Sequence, residues 1–144
     1  MGLFDFVKDA GKNLGATMDL SRALQNELSE LGFKVENLGL KVREGDVTVS
    51  GRVASQEERE KVVLALGNIH GVATVTDMLE VVNPEPEAVF YTVKPGDSLS
   101  KISKIHYGNA MKYMKIFEAN QPLLKDPDKI YPGQVLRIPP LEEK

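Results

Sequence analysis

A proline-rich break in the second half of the chain constrains its fold more than any other feature. Residues 82–88 read Val-Asn-Pro-Glu-Pro-Glu-Ala, so Pro84 and Pro86 are separated by a single glutamate. Proline has no amide hydrogen and a fixed φ, and therefore neither a helix nor the interior of a β-ladder continues through this stretch. The sequence predicts two small domains, joined by a short and stiff linker at residues 84–88.

The charge of the chain differs on the two sides of this linker. Residues 1–83 carry 9 Lys and Arg against 13 Asp and Glu, whereas residues 90–140 carry 8 against 4. Neither part has the dense Lys and Arg footprint that nucleic-acid binding requires, so we expect no nucleic-acid partner. The chain has no Cys and only 2 His, which leaves little material for a nucleophile, a general base or a metal-bound water. We therefore expect a protein that is not an enzyme.

The stretch from residue 19 to residue 83 has the pattern of a small α+β domain. Apolar residues at helical spacing predict a helix over 19–31 that ends at Gly32. Alternating residues on both sides of Glu44-Gly45-Asp46 predict a β-hairpin. Ser55 and Glu58 match a capping box for a second helix that ends at Gly67, and a Val- and Thr-rich run over 72–82 predicts a third strand.

The N-terminal residues 1–18 form a short amphipathic segment. Its apolar residues are Leu3, Phe4, Phe6, Val7, Ala10 and Leu14. We expect a helix that docks on the core of the first domain through Leu3, Phe4 and Phe6. A membrane-surface helix and a part of a binding site are the alternatives. No secretory signal is predicted here, and the chain has no apolar run near the ~20 residues that cross a bilayer.

The second domain, residues 89–140, has the order strand, helix, helix, strand. The first strand enters a tight turn at Lys94-Pro-Gly-Asp97, where Asp97 or Ser98 is placed to cap the next helix. Leu99, Ile102 and Ile105 are predicted to form the apolar face of that helix. Met114 and Phe117 mark the second helix, and residues 135–138 form the last strand.

Both domains resemble known families. The run Gly51-Arg-Val53 before a capped helix, followed by Gly71-Val-Ala-Thr-Val75, resembles the BON domain, which implies a three-stranded sheet with two helices. Four segments in order resemble the LysM domain, a βααβ module: residues 91–99, 107–109, 116–120 and 130–139. LysM modules usually recognise N-acetylglucosamine polymers, and the resemblance implies a possible glycan site at Gly96, Asp97, Ser98 and Leu99. The expected fold class is α+β.

A further resemblance covers the whole chain. Residues 1–11, Met-Gly-Leu-Phe-Asp-Phe-Val-Lys-Asp-Ala-Gly, and residues 66–73, Leu-Gly-Asn-Ile-His-Gly-Val-Ala, resemble the bacterial potassium-binding family. That family is cytoplasmic and monomeric, and it binds one K⁺ in preference to Na⁺, so the resemblance implies these properties here. It implies K⁺ ligation by the backbone carbonyls of Val7, Ala10, Lys12, Gly67 and Ile69.

Elementary chemistry is compatible with such a site. K⁺ is well served by neutral carbonyl oxygens, whereas a cluster of carboxylates favours Ca²⁺ or Mg²⁺. The last turn of a helix has carbonyls without intrahelical partners, and two predicted helix ends qualify, at Ala10-Gly11 and at Gly67. Glycine permits a positive φ, which we expect to help turn the nearby carbonyls toward one point.

Two other functions remain as alternatives. A LysM-based protein that binds peptidoglycan is favoured by residues 96–99 and opposed by the lack of a predicted export signal. A phospholipid-associated BON protein would use Leu3, Phe4 and Phe6 as its anchor. We expect no stable membrane association.

Overall fold

A computed structural model describes residues 2–7, 11, 20–83 and 88–140 of the chain. The chain separates into two compact units, Met1–Glu85 and Pro86–Lys144. Within the described ranges, no helix is long and apolar enough to span a membrane. The fold class is α+β.

The first unit contains four strands and two helices among its described residues. In chain order they are β1 (Gly2–Asp5), α1 (Leu20–Glu30), β2 (Glu36–Arg43), β3 (Asp46–Ser55), α2 (Gln56–Gly67) and β4 (Thr74–Asn83). The strands form one sheet in the order β1-β4-β3-β2. The hairpin β2–β3 is antiparallel, while α2 connects β3 to β4, which pair in parallel. Both turn residues of the hairpin, Glu44 and Gly45, have a positive φ, as a tight hairpin turn requires.

The prediction of an N-terminal helix is wrong for residues 2–5, which form strand β1. This strand pairs antiparallel with β4, so the sheet has four strands where three were expected. Leu3 and Phe4 lie opposite Thr76 and Val75, and thus face opposite sides of the sheet. Leu3 is 66% exposed and does not contribute to the core, contrary to the prediction. The apolar residues of this segment fit both the helical and the strand spacing. A strand forms because it can pair with the otherwise free edge of β4.

Helix α2 is the central element of the first unit. It packs on β3 and β4, and α1 packs on α2 and β2. Its N-terminus is capped as predicted by the Ser55 hydroxyl, which accepts the Glu58 amide at 3.1 Å. The reciprocal half of the predicted capping box is not formed, since the Glu58 carboxylate accepts the amide of Lys34. The residues from Val62 to Gly67 are all buried, so both sides of the helix are covered in its second half.

A buried ion pair ties α2 to the sheet. The Nε of Arg59 lies 2.6 Å from a carboxylate oxygen of Asp77 on β4, and the Asp77 side chain is only 2% exposed. The other oxygen of Asp77 accepts the amide of Leu79 at 2.9 Å. Both carboxylate oxygens therefore have a donor inside the first unit.

The second unit has the predicted strand, helix, helix, strand order. Its elements are β5 (Val89–Thr92), α3 (Leu99–Tyr107), a 3-10 turn (Ala110–Lys112), α4 (Tyr113–Ala119) and β6 (Val135–Ile138). Strands β5 and β6 pair antiparallel. Asn120 is buried and joins α4 to β6, since its amide group accepts from the Arg137 amide and donates to the Arg137 carbonyl.

One predicted core residue of this unit is exposed. Leu99 and Ile102 are buried, but Ile105 is 68% exposed. Each step of three residues turns a helix by about 300°, so the third residue of the series leaves the face that the first one shares with the core. The buried neighbour of Ile102 is instead Ser103, whose hydroxyl donates to the Asn109 carbonyl at 2.6 Å.

Candidate potassium site

The C-terminal turn of α2 is a rigid source of main-chain carbonyls. The Asn68 amide donates to the Leu64 carbonyl at 2.9 Å and closes the helix. The next residue, Ile69, is 2% exposed and anchors the following loop in the core. Carbonyls held by a buried helix end keep their direction, which is the condition for precise ion coordination.

The charge distribution along α2 leaves this end negative. Glu57 and Glu58 lie in the first turn, where they complement the positive end of the helix dipole, and the last turn carries no basic side chain. A cation near an uncompensated C-terminus is stabilised by roughly 0.3–1 kcal/mol in an exposed setting. The electrostatics of α2 therefore suit a cation at its C-terminal end.

The N-terminal segment contacts the C-terminal end of α2 through Phe6. The Phe6 amide donates to the Ala73 carbonyl at 2.8 Å, which continues the pairing of β1 by one residue. The Phe6 ring lies directly on Gly67, because a Cβ added at Gly67 would be 2.1 Å from two ring carbons. A side chain at position 67 would therefore displace this ring.

This contact corrects the predicted role of Gly67. Gly67 is the last residue of α2 and is absent from the positive-φ residues of the described chain. Glycine is needed at this position because the Phe6 ring approaches the backbone closely, and not because the backbone is left-handed.

Gly11 makes the second contact with the same turn. Its φ is +98°, and a Cβ there would lie 2.4 Å from the Asn68 carbonyl oxygen and 3.1 Å from the Ile69 nitrogen. The glycine thus lies against the peptide that joins Asn68 to Ile69. Its positive φ agrees with the use of glycine predicted for this position.

The structure brings together part of the predicted ligand set. No amide among the described residues donates to the carbonyl of Gly67 or of Val7. The Ile69 carbonyl accepts from the Val72 amide at 3.1 Å and retains a second lone pair. Ala10 and Lys12, the chain neighbours of Gly11, lie outside the described residues.

The described side chains do not form a metal site of their own. Within residues 2–7, 11, 20–83 and 88–140, no group of three or more His, Asp or Glu is arranged to hold a metal ion.

Sequence reasoning missed how the two glycines are used. Gly67 and Gly11 were interpreted as helix stops, whereas each is a point where another part of the chain touches bare backbone. The sequence did carry one signal of such packing: two bulky residues, Phe4 and Phe6, lie in the segment that contains Gly11. It does not specify which glycine lies under which ring.

The residues of the possible glycan site lie in the first turn of the second unit. Leu99 is buried in the core, and the Ser98 hydroxyl caps α3 by accepting the Lys101 amide at 3.2 Å. The Asp97 carboxylate accepts the Lys94 amide at 2.8 Å and the Tyr91 hydroxyl. Gly96 is exposed, so the turn presents backbone to solvent, while three of its side chains serve the fold.

We expect this turn to give the second unit a specific pH dependence. The hydrogen bond from Tyr91, followed by that from the Lys94 amide, lowers the pKa of Asp97 below its ordinary 3.8. The Asp97 bond, with burial and the charge of Asp97, raises the pKa of Tyr91 to about 12. A lowered acid pKa stabilises the fold above the unfolded value, and this contribution is lost as the pH falls below 3.8. The raised Tyr91 pKa stabilises the fold below its ordinary 10.0 and is lost as the pH rises toward 12.

The substitution Asp97→Asn tests both pKa shifts. The Tyr91 ring, followed by NMR, should titrate closer to 10.0, the ordinary value, in the variant. The thermal midpoint of the second unit should also depend less on pH in the acid range. An unchanged Tyr91 titration would contradict the assignment.

The sequence is similar to two known domain families and to known proteins. Residues 17–83 match the BON domain family and residues 91–139 match the LysM domain family. A curated Escherichia coli protein named "Potassium binding protein Kbp" is 49% identical over 147 aligned positions, which cover 96% of this chain and 99% of that protein. An uncharacterized protein of Deinococcus radiodurans is 59% identical over 49 residues, which are 34% of this chain and 19% of that protein. Since the first similarity extends over nearly both chains, the protein belongs to the family of the Escherichia coli potassium binding protein, with a BON domain followed by a LysM domain.

Proposed function

We propose that the protein binds K⁺ selectively in the cytoplasm and acts as a potassium sensor or buffer. The observation that carries the proposal is the contact of the N-terminal segment with the C-terminal turn of α2, through Phe6 on Gly67 and Gly11 on Asn68. The name of the Escherichia coli relative supports the same ion. The function is binding and not catalysis, and the binding unit is the monomer.

The proposed ligands are the carbonyl oxygens of Val7, Ala10, Lys12, Gly67 and Ile69. The first three belong to the N-terminal segment, residues 1–18, and the last two belong to the BON domain of residues 19–83. We refer to these two sets of proposed ligands as the two walls of the site. Neutral oxygens suit K⁺, which gives up its hydration shell more readily than Mg²⁺. The negative end of α2 adds a favourable field without a carboxylate.

The other two functions are less well supported. The exposed backbone of the turn at Gly96 is compatible with glycan binding by residues 96–99, and we keep this as a second proposal for the LysM domain, residues 89–140. The phospholipid anchor loses Phe6, because its ring lies on Gly67. Residues 84–88 remain the proposed linker.

Isothermal titration calorimetry tests the proposed function. We expect saturable binding of KCl and RbCl, and much weaker binding of NaCl and MgCl₂ at matched ionic strength, because the proposed cage offers neutral oxygens to a large, weakly hydrated ion. Equal heats from NaCl and KCl would overturn the proposed selectivity.

A further inference from the structure

We infer that Phe6 is a positioning residue for the ion site and that its ring sets the K⁺ over Na⁺ selectivity. This inference rests on the proposed function. Phe6 is not among the proposed ligands and acts through the segment that follows it.

Phe6 is held on two sides. Its amide is bonded to the Ala73 carbonyl at 2.8 Å, and β1 before it is paired with β4 over four residues. Its ring rests on Gly67, in the space that a Cβ would otherwise fill. Val7, the first proposed ligand, follows directly in the chain, so the place where the segment leaves the sheet is defined by Phe6.

The ring thereby works as a spacer between the two walls of the site. Gly67 belongs to the buried second half of α2 and is fixed by the core. The opposite wall comes from the N-terminal segment, which touches α2 at Phe6 and meets the following turn at Gly11. Carbonyls on a loosely held wall can close around the smaller Na⁺, whereas a wall held at a fixed distance favours the larger K⁺.

The central experiment compares Phe6→Ala with the full-length wild-type chain by calorimetry, with KCl and NaCl as the probes. We expect K⁺ affinity to fall by about 10- to 100-fold, the usual effect of losing a residue that supports metal ligands. The ratio of K⁺ to Na⁺ affinity should fall as well, which a general loss of stability would not produce. Leu3→Ala is the matched control, because Leu3 lies on β1, the strand that leads into Phe6, and is 66% exposed.

A size-exchange pair gives a second, independent measurement. Gly67→Ala alone should lose K⁺ binding, since its Cβ would lie 2.1 Å from the Phe6 ring. Phe6→Ala combined with Gly67→Ala removes that clash and should recover part of the affinity lost in the single Gly67 variant. A double variant no better than Gly67→Ala would contradict direct packing of the ring on Gly67.

The outcomes separate this inference from the proposed function. A wild-type chain that gives no heat with KCl overturns the proposed function. A wild-type chain that binds K⁺, together with a Phe6→Ala variant of equal affinity and equal ion ratio, overturns only the role of Phe6. Circular dichroism checks the fold of each variant. Where Phe6→Ala does not fold, Phe6→Leu decides, and unchanged affinity and ion ratio in that variant overturn the inference.

Discussion

A chain that lacks residues 2–12 is expected to lose its response to K⁺ altogether. The deletion removes three of the five proposed ligands, together with both contacts that bring the N-terminal segment to the α2 turn. Helices α1 and α2 and strands β2–β4 should remain folded, because they bury a common apolar face without β1. Calorimetry with KCl measures the loss, and circular dichroism with urea unfolding reports the remaining fold.

Point substitutions make the same test without shortening the chain. Gly11→Ala places a Cβ 2.4 Å from the Asn68 carbonyl oxygen and should also abolish K⁺ binding. Gly32→Ala is the matched control, since Gly32 has a positive φ of +86° but nothing within 4 Å of an added Cβ. Lys12→Ala keeps its carbonyl and should bind nearly normally. A truncated chain with a full K⁺ response, or a Lys12→Ala variant without one, would refute the backbone cage at the N-terminus.

Asp77→Ala is expected to lower the free energy of unfolding of the first unit by about 3 kcal/mol. Removal of one partner of a buried ion pair leaves the other charge uncompensated and typically costs 3–5 kcal/mol. The Arg59 side chain is 20% exposed and can partly turn to water, which places the effect at the lower end. The Leu79 amide also loses its bond to the Asp77 carboxylate.

Urea unfolding followed by circular dichroism measures this effect. Glu80→Ala provides the control, because Glu80 lies on the same strand in an exposed pair with Arg52, at 3.8 Å. Its loss should change stability by less than about 0.5 kcal/mol. The double variant Arg59→Met, Asp77→Leu removes both charges and should recover most of the stability lost in Asp77→Ala. Similar effects of Asp77→Ala and Glu80→Ala would show that the buried pair does not stabilise the unit.

Local signals predicted most of the elements. Helix α1 and Gly32, the turn at Glu44-Gly45 and the Ser55 cap each depend on residues within one or two turns of each other. Contacts between distant parts were not predictable in the same way. The segment around Phe4 can be a helix or a strand by its own pattern, and only the free edge of β4 decides between them. The buried Asp77 was not predicted, since its partner Arg59 lies 18 residues earlier, on α2.

The same distinction holds for the candidate site: features set by neighbouring residues were predicted, and contacts between distant residues were not. Local pattern predicted Gly67 at the end of a helix, and the structure has it there. Ile69 was implied only by the family resemblance, and it is buried just after that helix. The reason for glycine at position 67 was wrongly predicted, because the Phe6 ring approaches it from the other end of the unit. A close approach between residues far apart in sequence leaves no periodic signature.

The pairing of β1 with β4 has a consequence for the order of events during synthesis. Among the described strands, β1 pairs with β4 alone, at the other end of the unit, with Gly2 opposite Asp77. At roughly 5–20 residues per second, a ribosome adds β4 about 4 to 15 seconds after β1. For most of that interval Gly67 has not been synthesised, so Phe6 cannot pack on it and the two walls of the proposed site cannot meet. We therefore expect a nascent chain to complete the proposed potassium site as one of the last steps in the folding of its N-terminal half.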